Sequence, residues 1–132
     1  MLPITPGLIV AIAAGGAIGA LLRFLIQHYS VALFGLTFPW GTLFVNVAGC
    51  GVIGLVSGYW TQSGFEMSVE LRGALIIGCL GAFTTFSAFS LDTLVLFQTG
   101  EVLRASFNVL ATIILCLFAV AVGTILGSRL AV

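Results

Sequence analysis

The sequence predicts an all-α integral membrane protein of four transmembrane helices, the third broken at mid-membrane. Three observations carry that reading. Of 132 residues, 61% are hydrophobic and 6% are charged, whereas soluble domains carry roughly 25% charged residues. Four apolar runs each reach the roughly 20 residues that span about 30 Å of hydrocarbon at 1.5 Å per residue. The third run alone is interrupted by glycines and hydroxyl side chains at its centre.

The same composition excludes several function classes. Zero formal net charge and the lack of any basic cluster argue against a nucleic-acid partner. Cys50, Cys79 and Cys116 all lie in apolar stretches and read as packing residues, neither a disulfide framework nor a zinc site. His28 is the sole histidine and no catalytic constellation is visible, so the chain is not expected to be an enzyme. The length allows one domain, 1–132. No basic stretch precedes the first apolar run, which reads as a retained helix.

The first helix is expected over about 6–26, with Pro3 and Pro6 suited to its start. The second spans about 40–60 and is flanked by Trp40, Tyr59 and Trp60, rings that favour the bilayer interface. The third covers about 71–97 and the fourth about 102–126, joined by Gln98-Thr99-Gly100-Glu101. With this order Arg72 and Arg129 fall on one side of the membrane and Arg23 and Arg104 on the other. Because the arginine bias sets orientation, two against two makes both orientations accessible. Gly15/Gly19, Gly54/Gly58 and Gly123/Gly127 are small-xxx-small pairs that let helices approach closely in lipid.

Polar groups inside a span are costly and point to function. Gly15, Gly19 and Arg23 share one face of the first helix, so Arg23 is directed to an interface or vestibule or snorkels to the headgroups. Thr42 and Asn46 share a face of the second helix, where the Asn46 amide can both donate and accept, as a pore donor or as interhelical glue. The third helix contains Gly78-Cys79-Leu80-Gly81-Ala82-Phe83-Thr84-Thr85-Phe86-Ser87-Ala88-Phe89-Ser90. Hydroxyls here compete for backbone hydrogen bonds and favour a local break, tolerated at membrane depth only where it is buried or lines a cavity. Phe83, Phe86 and Phe89 recur at i+3, with electropositive ring edges. Ser87 and Ser90 add donors, and Asn108 and Thr112 share a face of the fourth helix. A path lined by neutral donors and one arginine, with Asp92 the single acid near a span, suits a small anion better than a cation. Spacing alone does not separate fluoride from other small anions.

These segments resemble the small Fluc/CrcB fluoride channel family of microbes. The resemblance rests on Gly15-Gly16, Gly19 and Arg23-Phe24, on Gly41-Thr42-Leu43-Phe44-Val45-Asn46-Val47-Ala48-Gly49, and on the run from Gly78 to Ser90, in order along nearly the whole chain. It implies an antiparallel dual-topology homodimer in the bacterial inner membrane, with two fluoride pores at the dimer interface and passive export of fluoride. It implies a structural sodium ion held by the backbone carbonyls of Gly81 and Thr84. The pore phenylalanines map to Phe86 and Phe89 and the pore asparagine to Asn46. Thr85, Ser87 and Ser90 match hydroxyl positions, and Asn108 and Thr112 a polar track. Ala88, Asp92 and Cys50-Gly51 depart from the family pattern. The rival reading, a small dual-topology proton-coupled multidrug exporter, wants an acid in the first helix, which has none. A second rival is an accessory subunit that only packs against a larger complex.

Overall fold

The computed structural model describes residues 4–64 and 66–131. It is all-helical and contains four helical spans long and apolar enough to cross a membrane. α1 is Pro6–Phe34 and α2 is Trp40–Ser63. The third span, Val69–Gln98, is composite: α3 (Val69–Arg72), a π-helical stretch (Gly73–Leu80), α4 (Gly81–Phe83) and, after a break at Thr84-Thr85, α5 (Phe86–Gln98). α6 is Val102–Leu130.

Helix ends follow from local chemistry. The Thr5 hydroxyl accepts the Leu8 amide at 3.1 Å and Pro6 opens α1, satisfying a donor that the first turn leaves free. Pro3 lies outside the described residues. α1 runs eight residues past the expected 26, to Phe34. Gln27, His28 and Ser30 suggest an exit from the apolar core, yet no breaker appears until Gly35, whose φ of 74° ends the helix. α2 likewise ends at Gly64, with φ 64°. At about 1.5 Å per residue, the 29 residues of α1 exceed the hydrocarbon thickness, so the helix is long enough to span it with tilt.

The four spans form two tightly packed parallel pairs. α2 lies on α6: a methyl at Gly54 would meet the Val120 carbonyl and one at Gly58 the Thr124 carbonyl, while Gly123 and Gly127 sit against the Gly51 and Leu55 carbonyls. Here small residues bring backbones into contact, the expected use of these glycines. α1 lies on the third span with Gly15 against the Ala74 carbonyl and Gly19 against that of Cys79. Four residues of α1 therefore match five of its partner. The 73–80 stretch meets that register by winding as a π-helix, with i→i+5 bonds. Gly73 and Gly78, themselves five apart, meet Leu8 and the Ile12 carbonyl on the same contact line.

Candidate functional site

The third span breaks where hydroxyl density is highest. Thr84 is extended (φ −82°, ψ 156°) and so is Thr85 (φ −154°, ψ 115°). Above the break, the Thr84 amide and hydroxyl both donate to the Leu80 carbonyl at 3.1 Å. Below it, the Thr85 hydroxyl caps α5, accepting the Ala88 amide at 3.1 Å. Asn46, from α2, spans the gap: its Nδ2 donates to the Thr85 carbonyl at 3.0 Å and its Oδ1 accepts the Thr85 amide at 2.7 Å. A buried backbone donor and acceptor, orphaned by the break, are thus satisfied by one side chain.

One amide N–H of Asn46 is committed to Thr85, and the side chain has one further N–H to offer. Gly49, one turn along α2 from Asn46, makes the space: a methyl there would collide with Cγ2 of Thr84.

A cavity of about 500 Å³ opens against the break. Of the expected site residues, Asn46, Gly81, Thr84, Thr85, Phe86, Phe89 and Thr112 line it. The Phe86 and Phe89 rings lie 5.4 Å apart and inclined at 47°. Phe89 is buried, whereas Phe86 is 78% exposed on this chain, a large apolar ring open to lipid or protein. Thr112 is buried with no partner for its hydroxyl among the described residues. A buried polar atom left unpaired is costly.

The remaining expected residues lie elsewhere. Ser87 does not line the cavity, but its hydroxyl is 3.2 Å from that of Thr85. Ser90 is exposed and donates to the Phe86 carbonyl at 2.9 Å. Asn108 is almost fully buried and donates to the Thr93 hydroxyl at 2.9 Å, which in turn donates to the Phe89 carbonyl at 2.7 Å. This chain ties α6 to α5, so Asn108 packs behind Phe89, with its Oδ1 unpartnered among the described residues. Arg23 sits within α1, lines neither cavity, and has no ion-pair partner among the described residues.

A second cavity, of about 420 Å³, lies at the α1–α2 connection and the far half of α5. Gln27 donates to the Thr42 hydroxyl at 3.3 Å, and Thr42 donates to the Asp92 carboxylate at 2.7 Å. Gln27 carried no sequence signal, because it reads as the end of the first span.

Whether the break suits a cation is decided by its carbonyls. In a continuous helix the Gly81 carbonyl would accept from Thr85 and the Thr84 carbonyl from Ala88. Those amides donate instead to Asn46 and to the Thr85 hydroxyl. Both carbonyls are released from helical pairing in residues that line the cavity, and no carboxylate lines it. Uncharged oxygens of this kind fit a monovalent ion better than a divalent one, which recruits carboxylates.

The family described as CrcB-like protein, Camphor Resistance (CrcB), matches residues 10–124. A protein of Methylococcus capsulatus named fluoride-specific ion channel FluC is 50% identical over 122 residues, 92% of this chain and 53% of the relative. The chain thus spans about half the length of that relative. Proteins of the same name from Rhizobium etli (49% identical, 85% of this chain, 89% of the relative) and Hydrogenovibrio crunogenus (43% identical, 92% and 91%) match along nearly their whole length. Four apolar spans and these matches make the chain a multi-pass membrane protein, and it belongs to the CrcB-like protein family.

Proposed function

We propose that the chain is one subunit of a fluoride channel that exports the anion passively. The observation that carries this reading is the cavity at the Thr84-Thr85 break, where the lining holds amide and hydroxyl groups and aromatic rings but no acid. Fluoride is a strong hydrogen-bond acceptor with a tightly held water shell, so entry requires donors that replace that water. The spare N–H of Asn46 and the hydroxyl of Thr112 are such donors, and the ring edges of Phe86 and Phe89 present partial positive charge. Relatives sharing 43–50% identity carry the name fluoride-specific ion channel, which supports the same ligand.

The working unit in this reading is an antiparallel homodimer. Four spans make a thin wall, Phe86 is exposed beside the cavity, and the arginines oppose two to two. A second copy inverted in the bilayer covers the open side and makes each cavity one wall of a pore. Sodium, held by the Gly81 and Thr84 carbonyls, would supply fixed positive potential near the anion path. The residues themselves do the rest: Asn46 fixes the break, Gly49 admits the Thr84 methyl, and Phe89 packs on the Asn108–Thr93 tie. Hydrogen fluoride enters cells neutral and dissociates in the more alkaline cytoplasm. An inside-negative potential then drives the anion out through such a pore.

The test is fluoride efflux from liposomes containing the purified chain, with chloride as control. Rapid fluoride release with chloride retained supports the proposal. No release of either anion would favour a role as a packing subunit.

A further inference from the structure

Cys50 and Cys116 take no part in the path just described, yet both line its cavity. The α2–α6 register explains why they meet. Gly54 lies against Val120 and Gly58 against Thr124, so one turn earlier on both parallel helices Cys50 stands level with Cys116. Both are free thiols and partly exposed, and they line the same cavity. Cys79 does not line the cavity and takes its place in the α1 contact. The walls beside the pair are Ile53, Ile113 and Leu117.

We propose that Cys50 and Cys116 form a two-coordinate site for a soft divalent cation of the mercuric class. Softness follows from the sulfur ligands. Two-coordination follows from the ligand count, since no cluster of three or more His, Cys, Asp or Glu side chains exists among the described residues. Zinc completes four protein ligands in a closed site, or three with an open position, and is poorly served. Charge decides between soft ions. A monovalent ion held by two thiolates leaves a net negative charge in an apolar wall, whereas a divalent ion leaves none, and a buried uncompensated charge is costly. Binding is Hg²⁺ + 2 RSH → Hg(SR)₂ + 2 H⁺, with no change of oxidation state and both protons released to water. The glycine contacts of α2 and α6 hold the sulfurs at fixed separation, so the second bond forms at high effective concentration.

In the solubilised full chain, one equivalent of mercuric chloride is expected to consume two of the three thiols, leaving Cys79 to react with a thiol reagent. Retention of mercury against excess 2-mercaptoethanol is expected to fall at least ~10-fold in Cys50→Ser, Cys50→Ala and Cys116→Ser, and to be unchanged in Cys79→Ser. Consumption of one thiol per mercury in the unmodified chain overturns the proposal without any variant. Equal retention in the unmodified chain and Cys50→Ala, or equally tight retention of zinc, overturns it as well. The consequence for conduction rests on the fluoride-channel reading: mercuric chloride stops fluoride efflux from the unmodified chain and not from Cys50→Ala. If the untreated chain passes no fluoride, that reading fails, while the thiol count still decides the metal site.

Discussion

The Asn46 side chain holds both backbone groups of Thr85, donating to its carbonyl at 3.0 Å and accepting its amide at 2.7 Å. Asn46 and Thr85 are both buried. The break in the third span is therefore closed from α2, and the carbonyls of Gly81 and Thr84 are left outside any helical ladder. The backbone of the break is held by one amide.

Asn46→Leu strands a buried N–H and a buried C=O, at about 1–3 kcal/mol each. The variant is expected to lose most fluoride flux and to unfold at lower temperature in detergent while still assembling. Unchanged flux and unchanged thermal stability would show that Thr85 does not need the pairing.

Gly49→Ala drives a methyl into Cγ2 of Thr84, an overpacking that costs about 1–3 kcal/mol. Flux in Gly49→Ala is expected to drop at least tenfold, which is about 1.4 kcal/mol on a barrier. Thr84→Ser removes that methyl and keeps the hydroxyl, so the double variant Gly49→Ala/Thr84→Ser recovers flux. A double variant no better than Gly49→Ala would place the damage elsewhere.

Sodium withdrawal probes the released carbonyls. Prolonged removal from both sides is expected to reduce flux, and indifference to it would count against Gly81 and Thr84 as ligands. Thr84→Ser preserves the backbone and is expected to be mild. Thr84→Pro deletes the amide that donates to the Leu80 carbonyl and restricts Phe83, so it is expected to abolish flux.

A tag at the C-terminus is expected on both sides of the membrane in similar amounts, since two arginines oppose two. Labelling from the cytoplasmic side alone would exclude an inverted dimer.

Much of this was legible in sequence, because lipid imposes simple demands. Apolar runs of span length give the four helices, and Thr84-Thr85 between glycines and serines gives the break. What stayed hidden depended on partners. The pairing of Asn46 with Thr85 and the donation of Asn108 to Thr93 join residues far apart in sequence. The extension of α1 past 26 was masked by Gln27 and His28, whose polarity signals a membrane exit and not a helix end. The π-helical stretch did carry a signal: Gly73 and Gly78 are spaced by five where α1 pairs its glycines by four. Cys50 and Cys116 read as packing because their proximity depends on the α2–α6 register.

A channel that passes fluoride as a bare anion down its electrochemical gradient sets the zero-current potential of a planar bilayer containing it. With a tenfold fluoride gradient at equal pH and equal chloride, fluoride-selective conduction sets this potential at ~59 mV in magnitude, the tenfold step for one charge. A potential near zero under that gradient, or one that follows an imposed pH difference, would contradict a passive fluoride channel.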